Sequence, residues 1–137
     1  CCKQGTVPLH AFPAVTELTV LGETTEMGGG SSELRILATT GEDAPALEKL
    51  SVFAFGAVRF EGYRSTALRE LCLGSCGIDS LSFTEAFPNL ELLNISDNRV
   101  EDIAPLTALP KLRYLCYTDN VIRNIGLLKD RGIVLTE

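Results

Sequence analysis

Apolar residues along this chain fall into a frame that recurs. Leu90, Leu93, Ile95, Asn98, Val100, Ile103, Leu106 and Leu109 are answered by Leu112, Leu115, Tyr117, Asn120, Ile122, Ile125 and Leu128 almost position for position. The segments "FPAVTELTV" (12 to 20), "SSELRILAT" (31 to 39), "APALEKLSV" (44 to 52), "STALRELCL" (65 to 73), "FPNLELLNI" (87 to 95) and "LPKLRYLCY" (109 to 117) share its opening. Each has a leucine or valine and a leucine three positions on, and all but "SSELRILAT", which has Thr39 there, have an apolar residue two beyond that. The leading positions are Val15, Leu34, Leu47, Leu68, Leu90 and Leu112, and the last three intervals are 21, 22 and 22 residues. Period-2 alternation at the centre of each segment predicts a short strand with one face buried. The repetition predicts that successive strands are parallel and stack coil on coil. A lone unit of this size buries too little apolar surface to offset the entropy of ordering it, so each coil needs its neighbours to close its core.

The first third fits less well. Intervals of 19 and then 13 residues separate Val15, Leu34 and Leu47. A parallel crossover normally takes a dozen or more connecting residues, and "TGEDAPA" (40 to 46) barely allows a tight return. The expectation is therefore irregular coils or a cap over residues 1–43 and regular repeats over 44–137, with Val134, 22 residues after Leu112, supplying a short final edge strand after Gly132.

The order Leu68, Leu71, Leu73, Cys76, Ile78, and the same order with Asn98 or Asn120 in place of Cys76, resembles the leucine-rich repeat frame L-x-x-L-x-L-x-x-N/C-x-L. "NRVEDIAPLTALPKLRYL", with its I-x-x-L-x-x-L return, looks most like the 22-residue class of internalins and of the leucine-rich regulator of protein phosphatase 1. "LSFTEAF" (81 to 87) resembles the convex-side strand and turn of bacterial surface repeats, which points to a bacterial source. The resemblance implies an α/β fold: a curved right-handed solenoid with a parallel concave sheet and a mostly irregular or short-helical convex side. It also implies that Cys76, Asn98 and Asn120 form a structural ladder, the asparagine amides bonding backbone groups of adjacent coils. An amide, with two donor hydrogens and an acceptor oxygen, suits that role.

Register then orders the outward positions of the concave strands. The first column is Glu17, Ile36, Lys49, Glu70, Leu92 and Tyr114; the second is Thr19, Ala38, Ser51, Cys72, Asn94 and Cys116; the third is Leu21, Thr40, Phe53, Gly74, Ser96 and Thr118. The middle column is small or polar, while Phe53, Leu92 and Tyr114 are apolar side chains directed to solvent. Exposed aromatics in a polar surround suit a binding patch, and a flanking domain or loop covering them is the structural alternative. The contacts expected with a protein or peptide are Lys49, Phe53, Glu70, Leu92, Asn94 and Tyr114. Six strands at ~4.8 Å spacing and ~17 Å length offer roughly 400 Å², against ~800 Å² per partner in a standard interface. A peptide-sized site, or one part of a larger contact, is the expectation.

The frame also decides the reading of "LELLNISDNRV" (90 to 100). Asn94-Ile95-Ser96 has the form of a glycan acceptor and Asp97-Asn98 that of a hairpin turn. The recurrence of Asn98 as Asn120 argues against a hairpin, and the position of Asn94 in a strand weakens the glycan reading.

Composition narrows the function classes. At 137 residues and 45% hydrophobic, the chain has the length of one domain and enough apolar residues for a core. A formal net charge of -6 argues against nucleic acid, which requires Lys and Arg to displace counterions from phosphate. The apolar run "LSVFAFGAV" (50 to 58) is far shorter than the ~20 residues of a membrane span. Five cysteines, an odd number, favour free thiols and a reducing compartment such as the cytoplasm; Cys1 would alternatively suit a cell-surface lipoprotein. "MGGGSSE" (27 to 33) lacks the Lys-Ser/Thr of a phosphate loop. With His10 as the single histidine, and Cys72 and Cys76 four apart, one on the concave face and the other at the buried Asn/Cys position of the frame, no catalytic or metal-ligating set is expected and no cofactor is implied. The functional expectation is a protein- or peptide-binding module, with oligomeric state open. A structural or self-assembling subunit, or the recognition domain of a larger enzyme, are the rivals.

Overall fold

The computed structural model describes residues 4–8, 14–21, 33–37, 46–53, 55–61 and 63–137. The described residues form nine strands: β1 (Gln4–Pro8), β2 (Glu17–Leu21), β3 (Glu33–Leu37), β4 (Lys49–Phe53), β5 (Ala57–Glu61), β6 (Glu70–Gly74), β7 (Leu92–Asn94), β8 (Tyr114–Cys116) and β9 (Val134–Thr136). They make two parallel sheets. The front sheet has the order β2-β4-β6-β7-β8-β9 and the back sheet β1-β3-β5.

Through the first half, the chain alternates between the sheets. After β6 the back positions pass to 3-10 turns at Ser82–Ala86, Ala104–Ala108 and Ile125–Arg131. Local chemistry accounts for the change. β5, "AVRFE", carries Val58 and Phe60 at alternate positions packed against the core. "APLTA" instead has proline in its first turn, where a missing N–H costs nothing, and Thr107 donates its hydroxyl to the Ala104 carbonyl at 2.6 Å. In "SFTEA" the buried Thr84 hydroxyl donates to Leu81 at 2.7 Å. The "LSFTEAF" segment is thus a 3-10 turn, not the convex strand expected. Phe60 of β5 joins the two kinds of back element, with ring centroids 5.2 Å from Phe83 and 5.4 Å from Phe87.

The two short intervals now have a cause. β3, with Leu34, does not enter the front sheet; it pairs with β1 and β5, in the register Gly5↔Leu34↔Val58. β2 pairs directly with β4, Leu18 opposite Leu50 and Val20 opposite Val52. One long coil therefore runs from Val15 to Leu47, with β3 on its back. Ile36 leaves the first column for this reason, while Ala38 and Thr40 lie outside the described residues, as do Cys1, Cys2, His10, the glycine-rich stretch 27–32 and residues 40–45.

Between the sheet and the back lies one core, in which Leu34, Leu50, Val52, Leu71, Leu73, Leu90, Leu93, Ile95, Val100, Ile103, Leu106 and Leu115 are buried. The last coil is shorter than expected. Val134 pairs with Tyr114 and Leu135 with Leu115, so Val134 is the counterpart of Tyr114 rather than of Leu112. Gly132, in the left-handed region at φ 67°, ends the preceding turn and sets that register.

The chain leaves each of three front strands through a left-handed residue: Ser75, Asp97 and Asp119, at φ 53°, 54° and 56°. Aspartate and serine tolerate this conformation through local hydrogen bonding. The Ser75 N–H reaches the Ser96 carbonyl at 3.1 Å and the Asp97 N–H that of Thr118 at 2.9 Å. Asp97-Asn98 is thus an exit from the sheet into the next coil, not a hairpin.

Candidate functional site

The ladder behind the front sheet is made by side-chain amides. Asn98, buried, donates through Nδ2 to the carbonyls of Leu73 (2.6 Å), Ile95 (2.8 Å) and Ser96 (3.0 Å). Its Oδ1 accepts the N–H groups of Cys76 (3.0 Å) and Ile78 (2.9 Å). Asn120 repeats the arrangement one coil on, donating to Ile95 at 2.7 Å, Tyr117 at 3.1 Å and Thr118 at 3.2 Å while accepting from Val100 at 3.0 Å. At Cys76 the thiol takes the place of the amide, donating toward Val52 (3.3 Å) and Gly74 (3.2 Å) carbonyls. Burial pushes that thiol up to about 11.

A further asparagine does related work without fitting the ladder position. Asn124 accepts from the Ile103 N–H at 3.0 Å and donates to Asp102 at 2.7 Å. Asp102 also accepts from the Ala104 N–H at 2.8 Å, and these two contacts, the backbone one foremost, hold its carboxyl below the usual carboxylate range. Asp102 is exposed, yet it braces the turn that follows it.

On the front face the first column is Glu17, Lys49, Glu70, Leu92, Tyr114 and Val134. Lys49 and Glu70 pair at 3.6 Å, half-exposed. Beyond them the column turns apolar: Leu92 is half-buried, Tyr114 is 50% exposed and Val134 is 54% exposed. The middle column is Thr19, Ser51, Cys72, Asn94, Cys116 and Thr136. Ser51 is buried, and burial raises the Cys72 thiol above its ordinary value despite the opposing Ser51 hydroxyl and Lys49 charge. Asn94 accepts its own loop's Ser96 N–H at 2.9 Å, which fixes the side chain at the end of β7.

Of the residues expected to meet a partner, Leu92, Asn94 and Tyr114 come together on β7 and β8, and Lys49 and Glu70 sit as an ion pair on β4 and β6. Phe53 stands apart from Leu92 and Tyr114. It is half-buried with its ring over Gly74, and its register neighbour Leu21 is 71% exposed. Val134 was not among the expected contacts, because a full 22-residue step places it at the wrong position of the frame; Gly132 is the signal that the last coil is short.

Among the described residues no group of three or more His, Cys, Asp or Glu is placed to hold a metal ion, and no helix is long and apolar enough to cross a membrane. Residues 66–108 and 88–130 each match the family of Leucine Rich repeats (2 copies). Residues 66–130 are leucine-rich repeats. Over 65 residues, 47% of the chain, it is 40% identical to the Acidic leucine-rich nuclear phosphoprotein 32 family member A of Drosophila melanogaster, and to the same degree to that of Drosophila pseudoobscura pseudoobscura. The match spans 25% of the length of either relative. The matched repeats, 66–130, contain β6 to β8, the full asparagine ladder and Tyr114.

Proposed function

We propose that the front face of this protein binds a protein or peptide segment, through Leu92, Tyr114 and Val134 with Asn94, Lys49, Glu70 and Phe53 around them. The carrying observation is the alignment of three apolar side chains on adjacent strands, β7, β8 and β9, on the side of the sheet away from the core. An isolated exposed apolar residue is ordinary, but a contiguous row rimmed by polar groups fits a contact surface. The three-residue length of β7, β8 and β9 keeps the patch small, which suits a short segment. Tyr114→Ala with Leu92→Ala is expected to abolish capture of the partner in a pull-down read by mass spectrometry, with thermal unfolding little changed. Retained binding moves the site off this face.

A second reading, a structural subunit that stacks on another copy or a fixed neighbour, draws on the last coil. Tyr117, Ile122 and Ile125 are only partly buried, whereas their counterparts Ile95, Val100 and Ile103 in the preceding coil are fully buried. Sedimentation over a range of concentrations separates the two: a concentration-independent monomer supports the binding module.

A further inference from the structure

The front face is electrically lopsided at its apolar end. The residues before β4, β6, β7 and β8 form a charged row, Glu48, Arg69, Glu91 and Arg113, tied coil to coil by backbone bonds such as Glu91 N–H to the Arg69 carbonyl and Arg113 N–H to the Glu91 carbonyl, both 2.8 Å. Within this row Arg69 and Glu91 neutralise one another at 3.6 Å. Arg113 is exposed and, among the described residues, forms no ion pair, and Lys111 beside it forms none either. At the opposite ends of β7 and β8 stand Asp97 and Asp119, both exposed and both on left-handed turns. Asp97 accepts the hydroxyl of Ser75, a neutral donor, at 2.6 Å. Arg99, one residue past Asn98, pairs with neither aspartate among the described residues. A positive rim thus adjoins the apolar column, a small polar column follows, and a negative rim closes the far side. At ~3.3 Å per residue the six steps from Arg113 to Asp119 amount to at most ~20 Å, a gap that four steps of an extended segment span with the added reach of its two charged side chains.

We infer that the occupant of this face is an extended peptide segment in which an acidic residue neighbours a bulky apolar residue and a basic residue follows three positions beyond it. The apolar side chain covers Leu92, Tyr114 and Val134, the acid meets Arg113, small residues cross Asn94 and Cys116, and the base meets Asp119 and Asp97. Charge complementarity of this kind fixes which way round a segment lies and speeds its encounter more than it deepens affinity. The inference rests on the front-face reading and adds the partner's chemistry to it.

Two pools of synthetic peptides test it, measured by fluorescence polarisation on the full chain: acid–apolar–x–x–base, and the same composition with the two charges exchanged. Because the apolar residue is adjacent to one charge only, reversing the peptide's direction cannot convert one pool into the other. The first pool is expected to bind about tenfold more tightly at low salt, the sum of two exposed charge contacts, with the preference fading as the Debye length shortens. Arg113→Glu should erase the preference, and Asp119→Asn, which keeps a side chain suited to the left-handed turn, should reduce it to about threefold. Equal binding of both pools, or a preference that Arg113→Glu leaves intact, overturns the charge inference; if Tyr114→Ala with Leu92→Ala still abolishes binding, the front-face reading survives it. Binding indifferent to that double substitution overturns both.

Discussion

The ring of Phe53 lies across Gly74 on the neighbouring strand, so close that a Cβ added to Gly74 would meet Phe53 Cδ1 at 2.7 Å. β4 and β6 pair these two residues in register, and the missing side chain of one is the seat of the other. Gly74→Ala therefore has to push the ring off the sheet, at a cost of ~1 to 3 kcal/mol. In the Phe53→Ala background the same alanine meets no ring and is expected to cost nothing or to stabilise slightly. A double-mutant cycle by urea unfolding measures this coupling, and additive effects would mean the ring is not held by the glycine.

The ladder asparagines should differ in value. Asn98 is buried and satisfies five backbone groups, while Asn120 satisfies four and is only half-buried. Removing either side chain leaves donors and acceptors unpaired, at ~1 to 3 kcal/mol for each group that water cannot reach. Asn98→Ala is expected to destabilise by about 3 kcal/mol or more, and Asn120→Ala by about half as much, since water can replace part of what is lost there. Equal urea midpoints for the two variants would contradict this ordering.

Gly77 and Gly132 share a left-handed backbone, at φ 64° and 67°, but not a neighbourhood. A Cβ on Gly77 would overlap the Gly56 carbonyl oxygen, a backbone atom that cannot turn aside, whereas one on Gly132 meets nothing within 4 Å. Gly132→Ala should cost only the ~1 to 2 kcal/mol of a left-handed alanine. Gly77→Ala adds a backbone collision in the middle of the stack and should lower thermal stability by several times as much.

Alkaline pH should weaken the fold in a defined window. In the folded chain Cys76 keeps its proton up to about 11, against an ordinary thiol value of 9.0. Above pH 9 the unfolded chain releases a proton that the folded chain still holds, so unfolding is increasingly favoured. Stability is full below that pH and falls as pH rises toward 11, by at most roughly 3 kcal/mol from this group. Cys72 and Tyr63 are shifted in the same direction by burial and add to the slope, the latter above its ordinary value of 10.0. Urea midpoints measured between pH 8 and pH 11 should fall less steeply in Cys76→Ala than in the parent chain.

How far all this could be read beforehand varies along the chain. From Leu47 onward the frame repeats with almost no slippage, so the front strands, the inward leucines and the positions of Cys76, Asn98 and Asn120 follow from counting. Leu34 misleads because "ELRIL" alternates just as a front strand does: alternation says that one side of a strand is buried, not on which side of the core the strand lies. Only the intervals around it carried the information. On the front face, register alone locates Leu92, Asn94 and Tyr114. Phe53 differed from expectation because its fate depends on the absence of a side chain on a different strand, and Val134 because two residues fewer in the last coil shift the count.

The register of the front sheet holds residue for residue across coils of unequal length: 32 residues separate Glu17 from Lys49, 21 separate Lys49 from Glu70, 22 each of the next two steps, and 20 the last. Length is thus absorbed on the back, where a strand or a 3-10 turn serves equally, while the pitch of the front is set by the bonding between its strands and by the asparagine ladder behind them. Insertion in the exposed connections between elements is expected to be tolerated better than within a strand or at its left-handed exit. A lengthened loop leaves the front register as it is, whereas an added turn of the coil widens the front sheet by one strand.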